Sequence, residues 1–158
     1  MGNKGQLYLH DIREKALKEA KVRLKRAHVQ NAQIILDTDT KKLQKLKHKM
    51  DWVLVDAPCF GSGTLRRNPD MKWKIDAAMI QRLKGEQRKI FETALSFVKP
   101  GGHIVYATCS ILADENDKQV EHFLSKYPLE QVGAPFMTLP EKGAMDGFFA
   151  VVFKRLSR

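Results

Sequence analysis

The chain has two cysteines, and both stand where a strand should give way to a turn. Cys59 lies in Asp56-Ala57-Pro58-Cys59-Phe60-Gly61-Ser62-Gly63-Thr64, and Cys109 lies in Ala107-Thr108-Cys109-Ser110. Each follows a short apolar, β-branched run, the pattern of a buried strand whose last residues surface at a sheet edge. Two thiols delivered this way can converge on one substrate, and a thiolate is a nucleophile suited to covalent catalysis. Inert burial is the plainer reading, because free cysteine is among the most buried residue types. Metal binding is not expected, since the two cysteines are far apart and the five histidines are scattered. Gly61-Ser62-Gly63-Thr64 lacks the lysine and the spacing of a phosphate-binding loop.

The elements that must position these thiols can be read along the chain. Gln6–His10 is a strand candidate ending at Asp11, and Ile12, Ala16, Ala20, Leu24 and Ala27 then recur at helical spacing. A second strand lies within Val29–Leu36, is broken at Asp37-Thr38-Asp39-Thr40, and is followed by a Lys-rich stretch. Trp52-Val53-Leu54-Val55 is apolar throughout, as a parallel strand covered on both faces would be. A loop of about 20 residues follows, and structureless loops of that length are usually functional. Ile80, Leu83, Ile90, Phe91, Ala94, Leu95 and Val98 mark a long helix, stopped by Lys99-Pro100-Gly101-Gly102. A strand over His103–Thr108, a helix over Asp114–Lys126 and closing strands at Leu129–Val132 and Phe148–Phe153 complete the order β-α-β-β-α-β-α-β-β. This alternation predicts an α/β fold with a largely parallel sheet. Ligands of such sheets bind beyond the carboxyl ends of the strands, where Asp11, Asp37, Asp56 and Cys109 fall.

At 158 residues the chain is one domain long, and residues 1–158 are read as one domain. No apolar run approaches the roughly 18 residues of a membrane span, so no membrane partner is expected. Two cysteines are too few for a disulfide scaffold, and the reducing cytoplasm is the natural compartment. The net charge is +10, with 13 Lys/Arg against 5 Asp/Glu in residues 1–50. That concentration suits a polyanion partner, and equally a solvated helix face.

Longer motifs add to this reading. Asp56-Ala57-Pro58-Cys59 with Gly61-x-Gly63-Thr64, followed by Arg66-Arg67-Asn68-Pro69-Asp70-x-Lys72-Trp73, closely resembles a signature of the Fmu/Sun family. These are ribosomal RNA small subunit methyltransferase B-like enzymes that methylate RNA cytosine at carbon 5 with S-adenosylmethionine. Thr108-Cys109-Ser110-Ile111 with Glu115-Asn116, Asn3-Lys4-Gly5 with Asp11-Ile12, and Asp146-Gly147-Phe148-Phe149 also resemble that family. The resemblance runs through nearly the whole chain and implies a Rossmann-like methyltransferase fold.

It also implies roles. Asp11 would hold the ribose hydroxyls of S-adenosylmethionine, although a strand-end aspartate can instead cap the next helix. Asp37, or less readily Asp39, would lie near the adenine amino group. Asp56 would sit between the cofactor's methionine end and the base. Cys109 would be the nucleophile that adds to cytosine carbon 6, with Cys59 assisting release. Arg66, Arg67, Asn68, Lys72 and Trp73 would face RNA. Trp73 could stack on an exposed base or cover the core. A helix start after Cys109 and the three basic residues favour its thiolate, whereas Asp114, Glu115 and Asp117 oppose it, which leaves the sign of the shift open.

Relative to the family, the chain resembles the C-terminal part of a methyltransferase core. The first strand and the glycine-rich cofactor loop are expected upstream of Asn3. Two expectations follow: S-adenosylmethionine binds this chain alone weakly or not at all, and self-association covers unpaired sheet edges. The alternative function is a catalytically inactive, basic RNA-binding module. Methylation of an exocyclic amine is disfavoured, because it usually accompanies Asp or Asn followed by Pro-Pro and an aromatic, and here Asp56-Ala57-Pro58-Cys59 stands instead.

Overall fold

The structure, a computed structural model, describes residues 2–74, 76–141 and 145–157. It divides into two compact units, Met1–Leu46 and Lys47–Arg158. Among the described residues, no helix is long and apolar enough to cross a membrane.

The N-terminal unit is a β-α-β unit with one further helix: β1 (Leu7–His10), α1 (Glu14–Arg26), β2 (Ala32–Ile35) and α2 (Thr40–Leu46). β1 and β2 pair in parallel from Leu7 opposite Ala32 to His10 opposite Ile35. In α1 the buried residue is Leu17, beside the half-buried stripe of Ala16, Ala20 and Leu24. Ile12, expected on that stripe, precedes the helix and is exposed. The helix ends in a left-handed turn at His28 (φ 55°), where the amides of His28 and Val29 bond back to the carbonyls of Lys25 and Leu24. α2 falls in the stretch read only as Lys-rich. It buries no residue, so its apolar signal is faint.

The C-terminal unit holds β3 (Met50–Asp56), α3 (Ala77–Leu95), β4 (Val98–Thr108), α4 (Asp117–Lys126), β5 (Leu129–Gln131), β6 (Phe136–Thr138) and β7 (Phe148–Arg155). The sheet order is β3-β4-β7-β5, with β6 also on β7. β3 and β4 are parallel, whereas every pairing to β7 is antiparallel. The fold class is the expected α/β, but the sheet is mixed rather than largely parallel. The reason lies in the connections: a parallel pair needs a crossover of a dozen or more residues, usually a helix, and among the described residues no helix separates β5, β6 and β7.

α3 and α4 cover one face of this sheet. Val55, Ile104, Tyr106, Phe149, Val151 and Phe153 from the strands meet Phe91, Leu95, Val120 and Phe123 from the helices. Phe91 and Phe123 stack with ring centroids 3.7 Å apart and planes 5° apart. On the other face Trp52 and Leu54 are exposed, at 59% and 68%. β3 is therefore not covered on both faces as its sequence suggests. The long helix is also shorter than read. It ends at Leu95, where the Arg155 guanidinium donates to the Leu95 and Val98 carbonyls, and Val98 opens β4 instead. The loop after β3 has structure too, with short 3-10 turns at Ser62–Thr64 and Pro69–Lys74.

Candidate active site

Parallel pairing of β3 and β4 brings their carboxyl ends side by side, and this is what unites the two cysteines. Asp56 lies opposite Ala107 in the ladder, and the Ala57 amide continues it by donating to the Ala107 carbonyl at 2.9 Å. Both chains then turn outward. The Sγ atoms of Cys59 and Cys109 come to 3.3 Å, within hydrogen-bond reach for sulfur, and both residues are half-buried.

The turns are held from both sides. Gly61 takes a left-handed conformation (φ 78°) that opens the Ser62–Thr64 turn. The Gly63 amide donates to the Cys109 carbonyl at 2.9 Å, and the Gly147 amide donates to the Gly63 carbonyl at 2.8 Å. The approach leaves no room for a side chain, because a Cβ on Gly63 would collide with the Gly147 carbonyl oxygen. Around Cys109, the Thr108 hydroxyl donates to Asn116 Oδ1 at 2.7 Å and the Asn116 amide donates to the Ser110 carbonyl at 2.8 Å. Ser62 Oγ lies 3.0 Å from Ser110 Oγ and accepts from the Ile111 amide at 2.9 Å. Around Cys59, the Phe60 amide donates to both oxygens of the fully buried Glu115 carboxyl, at 2.9 and 3.2 Å.

Electrostatics separate the thiols. The hydrogen bond from Cys59 is the main influence bringing Cys109 down to about 7 from an ordinary 9.0, with help from its own backbone amide. Burial and the negative fields of Asp56 and Glu115 oppose this. Donating that hydrogen bond pushes Cys59 far upward, reinforced by burial and by the charges of Cys109 and Glu115. Of the two, Cys109 is thus the thiol that ionises first, while Cys59 keeps its proton. The sign left open by the sequence is downward for Cys109, and the cause is the other cysteine rather than the arginines.

Those arginines have a partner of their own. Arg66 and Arg67 both form ion pairs with Asp146, whose side chain is only 7% exposed. Asn68 donates to the Thr64 hydroxyl at 3.2 Å. The ammonium of Lys72 sits 4.7 Å from the ring centre of Trp73, which is 80% exposed and so does not cover the core. Asp56 is exposed at the end of β3.

Asp11 and Asp37 belong to the N-terminal unit. Asp11 accepts from the Arg13 backbone amide at 2.8 Å and from its guanidinium at 3.0 and 2.8 Å, which holds the carboxyl down at about 2. It is not the cap of α1, since that position is Arg13. Asp37 is exposed, with one oxygen 3.7 Å from His10 Nε2, and Asp39 pairs with Lys42. Among the described residues, no group of three or more His, Cys, Asp or Glu side chains could hold a metal ion.

The family described as 16S rRNA methyltransferase RsmB/F matches residues 1–154. This chain belongs to that family. A ribosomal RNA small subunit methyltransferase B from Vibrio vulnificus is 38% identical over 148 residues, covering 90% of this chain and 35% of that protein. A solved methyltransferase homolog protein from Pyrococcus horikoshii superposes with a TM-score of 0.78 at 26% identity, over 98% of this chain and 54% of its own. The structure of NSun6 from Pyrococcus horikoshii with SFG superposes with a TM-score of 0.82 at 25% identity, over 99% of this chain and 43% of its own. The chain thus spans about a third of the length of a curated RsmB/F relative.

Asn116 and Asp146 entered the sequence reading only as parts of motifs, and Glu115 only as a motif residue and a charge opposing the thiolate; the structure gives each a contact at the thiol loops. Gln87 and Gln119 were missed. The one available signal was their polar side chains on the inward-facing stripes of two amphipathic helices.

Proposed function

We propose that the chain carries the thiol chemistry of an RNA cytosine-5 methyltransferase, acting on ribosomal RNA through a covalent bond between Cys109 and cytosine carbon 6. The observation that carries this reading is the thiol pair at 3.3 Å, with Cys109 brought down to about 7. Cytosine carbon 5 is a poor nucleophile. Addition of the Cys109 thiolate to carbon 6 places an electron pair on the ring, and carbon 5 becomes enamine-like. As carbon 6 is attacked, N3 takes a proton from solvent, and Asp56, exposed beside the thiols, favours this by accepting a hydrogen bond from the N3–H that forms. S-adenosylmethionine, when bound, supplies an electrophilic methyl group to carbon 5. A base, solvent water in the simplest case, then takes the carbon 5 proton, and the electron pair left behind restores the ring and expels the Cys109 thiolate. Cys59 assists that departure, because its S–H stabilises the thiolate as it forms.

The N-terminal aspartates fit the cofactor's chemistry. Arg13 holds the Asp11 carboxyl ionised, and each carboxylate oxygen can accept more than one hydrogen bond, which leaves acceptor capacity for a ribose hydroxyl. Asp37 is exposed and suits the adenine amino group. RNA would be gripped by Arg66, Arg67, Asn68 and Lys72, with Trp73 stacking on a base of a single-stranded segment. The chemistry requires reduced thiols, in keeping with a cytoplasmic setting. Among the described residues β3 pairs only with β4, and a homo-oligomer that covers this edge would also cover the exposed Trp52 and Leu54 on the adjoining face.

The test of the thiol roles uses ordinary cytosine RNA with S-adenosylmethionine. Cys59→Ala is expected to accumulate a covalent protein–RNA species on denaturing gels, and Cys109→Ala to form none. A species formed equally by both variants would contradict the assignment. Salt-sensitive RNA binding with no covalent species in any variant would point to the RNA-binding module instead.

A further inference from the structure

A buried polar relay runs beneath Cys59. It starts at the surface of α3, where Arg88 Nε donates to Gln119 Oε1 at 2.9 Å. Gln119 Nε2 donates to Gln87 Oε1 at 2.7 Å and to the Lys84 carbonyl at 3.0 Å. Gln87 Nε2 donates to Glu115 Oε1 and to the Pro58 carbonyl, both at 3.0 Å. Glu115 in turn accepts from the Phe60 amide, and its backbone carbonyl accepts from the Tyr106 hydroxyl at 2.7 Å. Gln87, Gln119 and Glu115 are each 0% exposed.

The direction of the chain is dictated by chemistry. A guanidinium only donates, so the Gln119 oxygen must face Arg88 and its nitrogen must face Gln87. The Gln87 nitrogen then faces a carboxyl group, which here meets only donors. The relay ends on the Pro58 carbonyl and the Phe60 amide, the backbone groups of the residues on either side of Cys59. Burying three polar side chains is costly unless every group is satisfied, so the relay admits one arrangement.

We propose that Glu115, working through Gln87 and Gln119, is the positioning residue that clamps the backbone on both sides of Cys59 and so holds its S–H against Cys109. Glu115 does not touch the reacting atoms; it acts through Cys59. This inference rests on the proposed roles of the two thiols.

Position and charge predict opposite outcomes. The Glu115 charge opposes the Cys109 thiolate, whereas the Cys59 contact favours it and is the larger influence. Neutralising Glu115 without moving Cys59 would therefore lower the pH midpoint of Cys109, and releasing Cys59 would raise it. The readout is the rate of Cys109 alkylation by iodoacetamide against pH, followed by mass spectrometry of its peptide. Glu115→Gln is expected to raise the midpoint by at least about one pH unit, toward the value in Cys59→Ala. Gln87→Leu, which changes no charge and contacts neither thiol, is expected to shift it the same way. Far-UV circular dichroism melting confirms that each variant is folded, and Gln87→Leu carries the test should Glu115→Gln not fold. A folded variant of either kind with an unchanged or lowered midpoint overturns the relay. Should Cys59→Ala itself leave the midpoint unchanged, the thiol contact fails, and the inference fails with it.

Discussion

The S–H of Cys59 is the main influence that lowers Cys109, and its removal has a calculable signature. With a midpoint of about 7, about half of Cys109 is ionised at pH 7. Without the contact, burial and the fields of Asp56 and Glu115 meet only the opposing hydrogen bond of Cys109's own backbone amide, and the midpoint is expected to rise to about the ordinary 9.0. Only about one molecule in a hundred is then ionised at pH 7, a loss of about 50-fold in thiolate. Intrinsic reactivity moves the other way. A thiolate about two units more basic gains about 6–10-fold in attack on a disulfide, from a Brønsted slope of about 0.4–0.5. The net fall at pH 7 is thus only about 5–8-fold, and above about pH 8 the variant should be faster. The assay is the pseudo-first-order reaction with a small aromatic disulfide in Cys59→Ala and Cys59→Ser, in each of which Cys109 is the one remaining cysteine. Serine keeps an O–H donor at the position, so its midpoint should lie at least about one unit below that of alanine. The two profiles should cross. Superimposed profiles, or a Cys59→Ala midpoint near 7, would refute the reasoning.

Other outcomes follow from the packing around the site. Gly63→Ala would press a Cβ into the Gly147 carbonyl and should cost about 1–3 kcal/mol or more by urea unfolding, while slowing Cys109 alkylation because the same backbone fixes its loop. Asp146→Asn removes the shared partner of Arg66 and Arg67, and should lower stability by about 1–3 kcal/mol and speed tryptic cleavage at those two residues. Phe91→Ala empties the centre of the aromatic cluster and should cost about 3–5 kcal/mol in the same unfolding assay. Trp73→Ala, at an 80% exposed position, should leave the melting temperature unchanged and weaken single-stranded RNA binding by about 1–3 kcal/mol in a fluorescence titration.

Much of the positioning was legible in the residues themselves. The apolar runs before Asp56 and Thr108 announced β3 and β4, and the turn residues after them announced where the cysteines would surface. The sheet-edge placement of Cys59 and Cys109 followed from those two features. The sign of the Cys109 shift did not, because it depends on a 3.3 Å contact between residues far apart in sequence. Arg66 and Arg67 show the same limit. Their basic character is plain, but their pairing with Asp146 depends on the return of the chain into β7. The antiparallel pairings of β7 were missed for a different reason. Short strands such as β6 (Phe136–Thr138) give little alternation to read. Trp52 and Leu54 show that an apolar strand does not reveal which of its faces is covered. Gln87 and Gln119 were illegible because a glutamine on a helix is normally solvated, and burial by mutual hydrogen bonding shows only in three dimensions.

The most direct test of the central claim is a trapping experiment with RNA containing 5-fluorocytosine at saturating S-adenosylmethionine. Fluorine cannot leave carbon 5 as a proton does, so a thiol that has added to carbon 6 stays bound. Peptide mapping should place the RNA on Cys109, with the linkage lost in Cys109→Ala and kept in Cys59→Ala. RNA linked through Cys59, or no linkage while the chain still binds RNA, would contradict the account.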